Sequence, residues 1–228
     1  MTSAINVLIA DDEALVRAGF RLLVEYAADL AVVGEAENGV QAVSQARVLK
    51  PDVVLMDIRM PVMDGLEATR MILDGAATAP RILVVTTFDD DENVFAALRS
   101  GASGFVLKDT PPEQLLEAIR IVAAGDALLT PSITRRLIAE FARAPAQLAS
   151  AAESRVLCEL TDRERDVLVH VAAGRSNAEI STALHVSVAT VKTHVSRLLA
   201  KLDARDRAQL VVLSYELGVA EPRRRANG

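Results

Sequence analysis

The first 125 residues alternate a short apolar run with a segment of helical periodicity five times, and this alternation constrains the fold more than any other feature of the chain. Strands that are apolar on both sides are typical of a parallel sheet with helices on both faces. The pattern therefore predicts an α/β domain with a doubly wound, five-stranded parallel sheet. The expected strands lie at residues 5–10, 31–34, 53–56, 81–86 and 104–107.

The C-terminal part of the chain has only helical patterns, which predicts an all-α second domain over residues 159–220. Gly174 and Gly218 stand where helices are expected to stop. The predicted helices lie at residues 162–173, 177–184, 188–202 and 206–217.

Residues 126–158 separate the two predicted domains, 1–125 and 159–220. A helix is predicted over 131–144, and the residues that follow it lack periodicity, as a linker does. The last residues, 221–228, contain three consecutive arginines and are expected to form a flexible basic tail.

Charge is divided unevenly along the chain, whose formal net charge is −6. Residues 1–154 hold 13 basic and 22 acidic residues, a net of −9, whereas residues 155–228 hold 12 and 9, a net of +3. This asymmetry indicates two domains with different partners. A net charge of +3 is too small to establish a nucleic-acid site by itself.

Cys158 is the single cysteine, so no disulfide can form within the chain, and a reducing compartment is favoured. We interpret it as a small buried hydrophobic residue rather than a reactive thiol. No apolar run approaches the roughly 18 residues of a membrane-spanning helix, and the N-terminus has no pattern of a secretory signal. We therefore expect a cytoplasmic protein with no membrane partner.

Three carboxylates directly follow predicted strands: Asp11 and Asp12 follow the first, and Asp57 follows the third. The carboxyl ends of parallel strands meet at one edge of a sheet, where clustered like charges are costly without a cation. Oxygen ligands of this kind suit Mg²⁺. Lys108 and Thr86 end two other strands and are expected at the same edge. The combination predicts phosphoryl transfer with Asp57 as the acceptor.

Four segments of the first domain carry a family resemblance. They are LIADDE at 8–13, LMDIRMPVMDG at 55–65, VTT at 85–87 and FVLKD at 105–109. With these motifs, residues 4–125 resemble the receiver domains of two-component response regulators, whose sheet has the flavodoxin-like form.

The resemblance implies that a sensor histidine kinase phosphorylates Asp57. It also implies that Asp12 and Asp57 bind Mg²⁺ directly, that Asp11 assists, and that the backbone carbonyl of Arg59 completes the protein ligands. Gly65 would shape the loop after the phosphorylated residue.

The resemblance further implies that Lys108 pairs with the phosphoryl group and that Thr86 is the switch hydroxyl. Thr87 should face the other side of its strand. The aromatic switch position falls on Phe105, which can also be a core residue, and on phosphorylation it would turn inward. We interpret the acidic run at residues 89–91 as a loop and helix cap rather than a second metal site.

The second domain resembles the four-helix LuxR-type helix-turn-helix domain, in the segments LTDRERDVL at 160–168, GRSNAEIS at 174–181 and VATVKTHVSRLLAKL at 188–202. With the receiver, this indicates the NarL/FixJ group of response regulators. The third helix would lie in the major groove as the recognition helix. Its apolar positions fit a core face. Its polar positions form the expected DNA-binding set: Thr190, Lys192, Thr193, Ser196, Arg197 and Lys201.

Within this set, the family positions favour Lys192, Thr193 and Ser196 for base contacts. For His194 a structural or backbone-contacting role is favoured over base reading. We expect Lys201, Arg175 and Arg205 either to contact DNA phosphates or simply to be charged side chains in solvent.

The resemblance thus implies a DNA-binding response regulator rather than an enzyme. Its partners would be a sensor histidine kinase and double-stranded promoter DNA. Phosphorylation would either free the recognition helix or produce a homodimer that binds paired half-sites. Apolar residues of the last helix offer either a dimerisation surface or part of the domain's own core; they are Leu210, Val211, Leu213 and Leu217.

Three other functions are disfavoured. A phosphatase with an aspartyl-phosphate intermediate typically needs a second aspartate two residues after the first, where this chain has Arg59. A ligand-sensing regulator of the quorum type needs a small-molecule pocket, which tightly packed parallel strands do not favour. A vestigial receiver is disfavoured because Asp57, Asp12 and Lys108 are intact.

Overall fold

A computed structural model describes residues 4–74, 79–87, 91–125 and 160–219. The chain divides into two units, Met1–Leu128 and Leu129–Gly228. The predicted linker helix, Cys158, the basic tail and two residues of the acidic run, 89–90, lie outside the described residues. The domain bounds at 125 and 159 stay predictions.

A five-stranded parallel sheet forms the centre of the first unit, in the order β2-β1-β3-β4-β5. Four strands have the predicted bounds, and β2 is longer than predicted because its pairing with β1 continues as far as Ala36. The strands are β1 (Ile5–Ala10), β2 (Leu30–Ala36), β3 (Val53–Met56), β4 (Arg81–Thr86) and β5 (Gly104–Leu107).

Five helices connect and cover these strands: α1 (Ala14–Tyr26), α2 (Gly39–Leu49), α3 (Gly65–Leu73), α4 (Asp91–Arg99) and α5 (Pro112–Ala123). Asn38 and Asp64 cap α2 and α3, because their side chains accept hydrogen bonds from the first-turn amides of Gln41 and Glu67. The predicted doubly wound α/β fold is confirmed.

The helix α1 has an unusual buried face, because an arginine shares it with apolar residues. Phe20 and Val24 pack into the core beside Arg17, whereas Leu15 and Leu22 on the other side of the helix are exposed. Leucine spacing along α1 therefore predicts the helix but not the face that it buries.

The second unit contains four helices in its described part: α6 (Asp162–Ala172), α7 (Asn177–Leu184), α8 (Val188–Lys201) and α9 (Arg207–Glu216). Thr161 and Ser176 begin α6 and α7 with complete capping boxes, since each also binds the glutamate three residues on. The predicted all-α second domain is confirmed. Its core includes Val167, Leu168, Ile180, Val191, Leu198 and Leu210.

No helix in the described ranges of either unit is long and apolar enough to cross a membrane.

An ion pair between an exposed lysine and a buried glutamate joins the end of α8 to the start of α6. Glu164 is 3% exposed, and one of its carboxylate oxygens lies 2.7 Å from Lys201 Nζ. The same oxygen accepts hydrogen bonds of 3.0 Å from the main-chain amide and the hydroxyl of Thr161. The hydrogen bond from Lys201, followed by that from the Thr161 amide, lowers the pKa of Glu164 to about 2. The ionised carboxylate therefore stabilises this unit.

We predict that Glu164→Gln lowers the free energy of unfolding of the second unit by about 1–3 kcal/mol at pH 7, since a charge-assisted hydrogen bond is lost. Urea titration followed by tyrosine fluorescence measures it in a Tyr26→Phe background, where Tyr215, bound to the Ala172 carbonyl at 3.1 Å, is the one remaining tyrosine.

The effect should depend on pH in a defined direction. Because the folded-state pKa is depressed, the wild-type advantage is complete above the unfolded value of 4.5 and is lost as pH falls towards about 2. Lys201→Met should destabilise to a similar extent and add little to Glu164→Gln in the double variant. Fully additive losses would contradict the pairing.

Candidate functional site: an acidic edge and a recognition helix

Sheet topology brings Asp11 and Asp57 together. Their strands, β1 and β3, are neighbours, with Ala10 paired to Met56, so the next residue of each strand leaves the sheet at the same edge. The Asp57 amide donates a 2.8 Å hydrogen bond to the Ala10 carbonyl and closes this edge. Oxygen atoms of the three carboxylates, Asp11, Asp12 and Asp57, lie within 4.8 Å of one another. Asp11 and Asp57 are buried, at 1% and 5% exposure, and Asp12 is exposed.

Lys108, the residue directly after β5, places a positive charge next to this cluster. Its Nζ lies 2.7 Å from Asp11 Oδ2, 3.1 Å from Asp57 Oδ2 and 3.5 Å from Glu13 Oε1. Its main-chain amide donates to the Thr86 carbonyl at 2.9 Å, which fixes the lysine against the end of β4. Four of the five residues predicted to share one edge, Asp11, Asp12, Asp57 and Lys108, are brought together there, and the fifth, Thr86, ends the neighbouring strand β4.

Burial and charge oppose each other at this edge. Burial raises the pKa of Asp57 above its ordinary value, and the nearby Lys108 ammonium offsets only part of that increase. Burial alone would lower the pKa of Lys108, but its hydrogen bond with Asp11 and the charge of Asp57 outweigh burial, so its pKa is raised. The lysine therefore stays protonated at neutral pH.

The donor set of the cluster fits a small divalent cation. When ionised, three carboxylates against one ammonium would leave two negative charges, which one divalent ion would neutralise. All three side chains offer oxygen, the ligand that Mg²⁺ prefers. Arg59, whose carbonyl is a predicted ligand, is exposed in the loop two residues after Asp57. The acidic cluster is thus consistent with Mg²⁺ binding.

The loop after β3 is folded tightly against Asp57. The Ile58 amide donates a hydrogen bond to Asp57 Oδ1 at 2.8 Å. The Gly65 amide donates to the Ile58 carbonyl, also at 2.8 Å. A Cβ atom on Gly65 would lie 1.9 Å from the Asp57 carbonyl oxygen, so only glycine fits. This close approach fixes the orientation of the Asp57 main chain.

The two predicted switch residues are both buried. Thr86 is fully enclosed at the end of β4, and Thr87 is exposed, as strand alternation predicts. Phe105 lies on β5 opposite Val84 and is already buried in this structure. Phe105 is therefore a core residue in this structure, and its role as a switch stays a prediction.

The recognition helix α8 has the predicted division into two faces. Val191 and Leu198 are fully buried, and Val195 and Leu199 are half-buried beside them. Five of the six predicted DNA-binding residues are exposed and form no ion pair with other described residues of the second unit: Thr190, Lys192, Thr193, Ser196 and Arg197. Their hydroxyl and cationic groups are of the kinds that bind phosphates and base edges.

Lys201 differs from the other members of the DNA-binding set, because its ammonium is held by buried Glu164. The ion pair gives it a structural role that sequence reasoning did not foresee. His194 is half-buried, with its Nδ1 atom enclosed and without a hydrogen-bond partner among the described residues, which agrees with a structural role. Leu210 and Val211 of α9 and its C-cap residue Leu217 are buried within the unit itself, as the core alternative requires, and Leu213 is half-buried.

Two arginines that sequence reasoning missed hold the loops next to these sites. Arg17 donates from its buried guanidinium to the main-chain carbonyls of Asp11 and Asp12. Arg207 donates to Asn177 Oδ1 at 2.9 Å and to the Arg175 carbonyl, and so fixes the turn before α7. The sequence signal for Arg17 is an arginine in the apolar register of α1, which helical periodicity treats as an exception.

Comparisons with known proteins agree with this architecture. Residues 7–120 match the response regulator receiver domain, and residues 159–214 match the bacterial regulatory proteins of the luxR family. The transcriptional regulatory protein YxjL of Bacillus subtilis strain 168 is 42% identical over 218 residues, which cover 95% of this chain and 98% of that protein.

Solved structures agree as well. The response regulator ChrA of a heme-sensing two-component system is 32% identical, with a TM-score of 0.51 over 95% of this chain and 99% of ChrA. Two RcsB dimers bound to two parallel DNAs provide another similar structure, at 25% identity and a TM-score of 0.54 over 94% of this chain and 99% of that one.

Fold, acidic edge and recognition helix together define a DNA-binding response regulator. The chain belongs to the two-component response regulators of the NarL/LuxR family, which join a receiver to a LuxR-type helix-turn-helix domain. The prediction of a transcriptional regulator rather than an enzyme is confirmed by these relatives.

We predict that Gly65→Ala destabilises the receiver by about 1–3 kcal/mol, because the added methyl group forces the loop away from Asp57. Gly19→Ala is a matched control, since a Cβ there meets nothing within 4 Å. In the middle of α1, that change should stabilise by about 0.5–1 kcal/mol. Amide hydrogen exchange of β1 and β3 peptides measures both, and equal protection in the two variants would refute the steric argument.

Proposed function

We propose that Asp57 is the phosphoryl acceptor of this regulator and that its phosphorylation by a sensor histidine kinase controls promoter binding. The observation that carries the proposal is the contact of buried Asp57 with Lys108 beside Asp11 and Asp12. One protonated lysine and a carboxylate nucleophile at a cation-binding edge are the groups that phosphoryl transfer needs.

In the proposed reaction, a carboxylate oxygen of Asp57 attacks the phosphorus of a phosphohistidine on the kinase. A P–O bond forms, the P–N bond breaks, and the imidazole leaves with the electron pair and takes up a proton from solvent. Lys108, 3.1 Å from Asp57 Oδ2, would neutralise part of the charge of the incoming phosphoryl group. The Ile58 amide would hold the other oxygen, Oδ1, in place.

Mg²⁺ would be held by the carboxylates of Asp11, Asp12 and Asp57 and by the Arg59 carbonyl. When bound, it supplies charge neutralisation for the phosphoryl oxygens. Asp12 is the most solvent-accessible of the three carboxylates and would give the ion its entry.

Phosphorylation would add negative charge next to Lys108 and draw the Thr86 hydroxyl towards the new phosphoryl oxygens. Phe105 on β5 is paired with Val84 on β4, so a shift of β4 would displace the Phe105 ring. We propose that these two residues transmit the modification to the surface around α4 and β5.

The DNA-binding part of the proposal places the exposed face of α8 in the major groove. Lys192, Thr193 and Ser196 would contact base edges, and Thr190 and Arg197 would contact neighbouring bases or phosphates. The similar RcsB structure contains dimers on DNA, which supports a homodimer that binds two half-sites about one helical turn apart. A promoter-binding regulator of a bacterium would act in the cytoplasm, where the DNA lies.

Asp57→Asn should abolish phosphorylation by acetyl phosphate and Mg²⁺, because the amide is not a nucleophile. Asp52→Asn is the matched control at the opposite end of the same strand, where its carboxylate accepts the Asn6 amide at 2.7 Å in a solvent-exposed hydrogen bond. Phosphate-affinity electrophoresis resolves the modified species. Phosphorylation that persists in Asp57→Asn would refute the assignment.

Lys192→Ala should weaken binding to the cognate promoter by about 10-fold or more, since one good base contact contributes roughly 1–3 kcal/mol, and should leave phosphorylation of Asp57 unchanged. Lys50→Ala, which removes an exposed charge from the receiver, is the control. Genomic footprinting identifies the promoter, and fluorescence anisotropy at fixed salt then measures affinity. Loss of phosphorylation together with DNA binding would contradict the separation of the two functions.

A further inference from the structure

We propose that Arg17 is a positioning residue of the cation site: its guanidinium holds the main chain of Asp11 and Asp12 in the geometry that binds Mg²⁺. The inference rests on the proposed function of the acidic edge and adds a residue to it. Arg17 is 7% exposed and lies on the inner face of α1, where apolar residues are its neighbours on the helix.

One nitrogen of Arg17 spans both acidic residues. Nη1 donates to the Asp11 carbonyl at 2.8 Å and to the Asp12 carbonyl at 3.1 Å. The two carboxylates are attached to this same stretch of main chain, so its position sets theirs. Arg17 acts on the site through this backbone and is therefore distinct from the residues that would touch the ion.

The rest of the guanidinium is anchored to the end of β2 and the residue that follows it. Nη2 donates to Glu37 Oε1 at 3.0 Å, whereas Nε lies 3.5 Å from Glu35 Oε2 in an ion pair without a hydrogen bond. The Asp11 amide also donates to the Ala36 carbonyl at 3.0 Å, so the loop after β1 and the end of β2 are tied at two points. Arg17 thus acts as a brace between them.

The brace requires the planar fork of arginine. Its donors point in fixed, divergent directions, so one side can bind two carbonyls while the other binds carboxylates. A lysine at the same position has one ammonium centre and could not make both sets of contacts. Its charge would nevertheless be the same, which separates geometry from electrostatics.

Charge and position make opposite predictions for Mg²⁺ affinity. Removal of a positive charge close to three carboxylates would, by Coulomb attraction alone, strengthen the binding of a cation. Loss of the brace would weaken it, because the Asp11 and Asp12 main chain would no longer be held. The sign of the change therefore distinguishes the two causes.

The test compares Arg17→Met and Arg17→Lys with wild-type full-length protein. Calorimetric titration with MgCl₂ gives the dissociation constant, and acetyl phosphate kinetics at varied Mg²⁺ give the maximum rate and the half-saturating Mg²⁺ concentration. We expect both variants to bind Mg²⁺ about 10–100-fold more weakly, the range typical of residues that orient metal ligands. The maximum rate at saturating Mg²⁺ should change far less, because the reacting groups are intact.

Arg21→Met is the matched control. Arg21 lies one turn further along α1 and pairs with the side chains of Glu35 and Glu25 rather than with the Asp11 and Asp12 carbonyls. Its Mg²⁺ affinity should stay within about twofold of wild type, since exposed ion pairs contribute little. An equal loss in Arg21→Met would assign the effect to Glu35 and overturn the inference.

Other outcomes also decide the question. Unchanged or tighter Mg²⁺ binding in Arg17→Lys, with native circular dichroism, would overturn the positioning role. If Arg17→Met does not fold, Arg17→Lys alone decides, because it keeps the buried charge. Wild-type protein that neither binds Mg²⁺ nor is phosphorylated would refute the proposed function itself, whereas normal wild-type behaviour with unaffected Arg17 variants would refute only this inference.

Discussion

Repulsion among three carboxylates at one edge of a parallel sheet is the constraint on which the receiver is built. The adjacency of β1 and β3 forces Asp11 and Asp57 together, and burial makes their charges costly. Lys108 compensates only part of this charge from the end of β5. The remaining negative charge is what suits the edge to a divalent cation and to phosphoryl chemistry.

A rigid frame keeps this unfavourable arrangement in place. Gly65 allows the loop after β3 to pack against the Asp57 carbonyl, and the Asp57 amide is tied to Ala10. Arg17 binds the loop after β1 from the opposite side. The packing and hydrogen bonds of the surrounding main chain thus offset the electrostatic cost of the site. Such compensation is common where function requires locally unfavourable groups.

The second unit is subject to a simpler constraint, because α8 must bury one face and leave the other exposed to DNA. Val191 and Leu198 fix the buried face, and the capping boxes of α6 and α7 fix the helices that pack against it. Lys201 belongs to the polar set by its spacing, but its ion pair with buried Glu164 gives it a structural role. Helical periodicity alone does not separate these two roles.

The sequence by itself determined the order of strands and helices along the chain, since β1, β3, β4 and β5 are short, predominantly apolar segments that have the predicted bounds. It also determined the shared edge of Asp11, Asp57 and Lys108, because parallel topology places strand ends together. The tertiary structure alone decided the longer β2, the brace formed by Arg17 and the partner of Lys201. They depend on pairing and side-chain contacts between different elements, for example Arg17 with Glu37, 20 positions apart, and Lys201 with Glu164, 37 positions apart, which local periodicity does not contain.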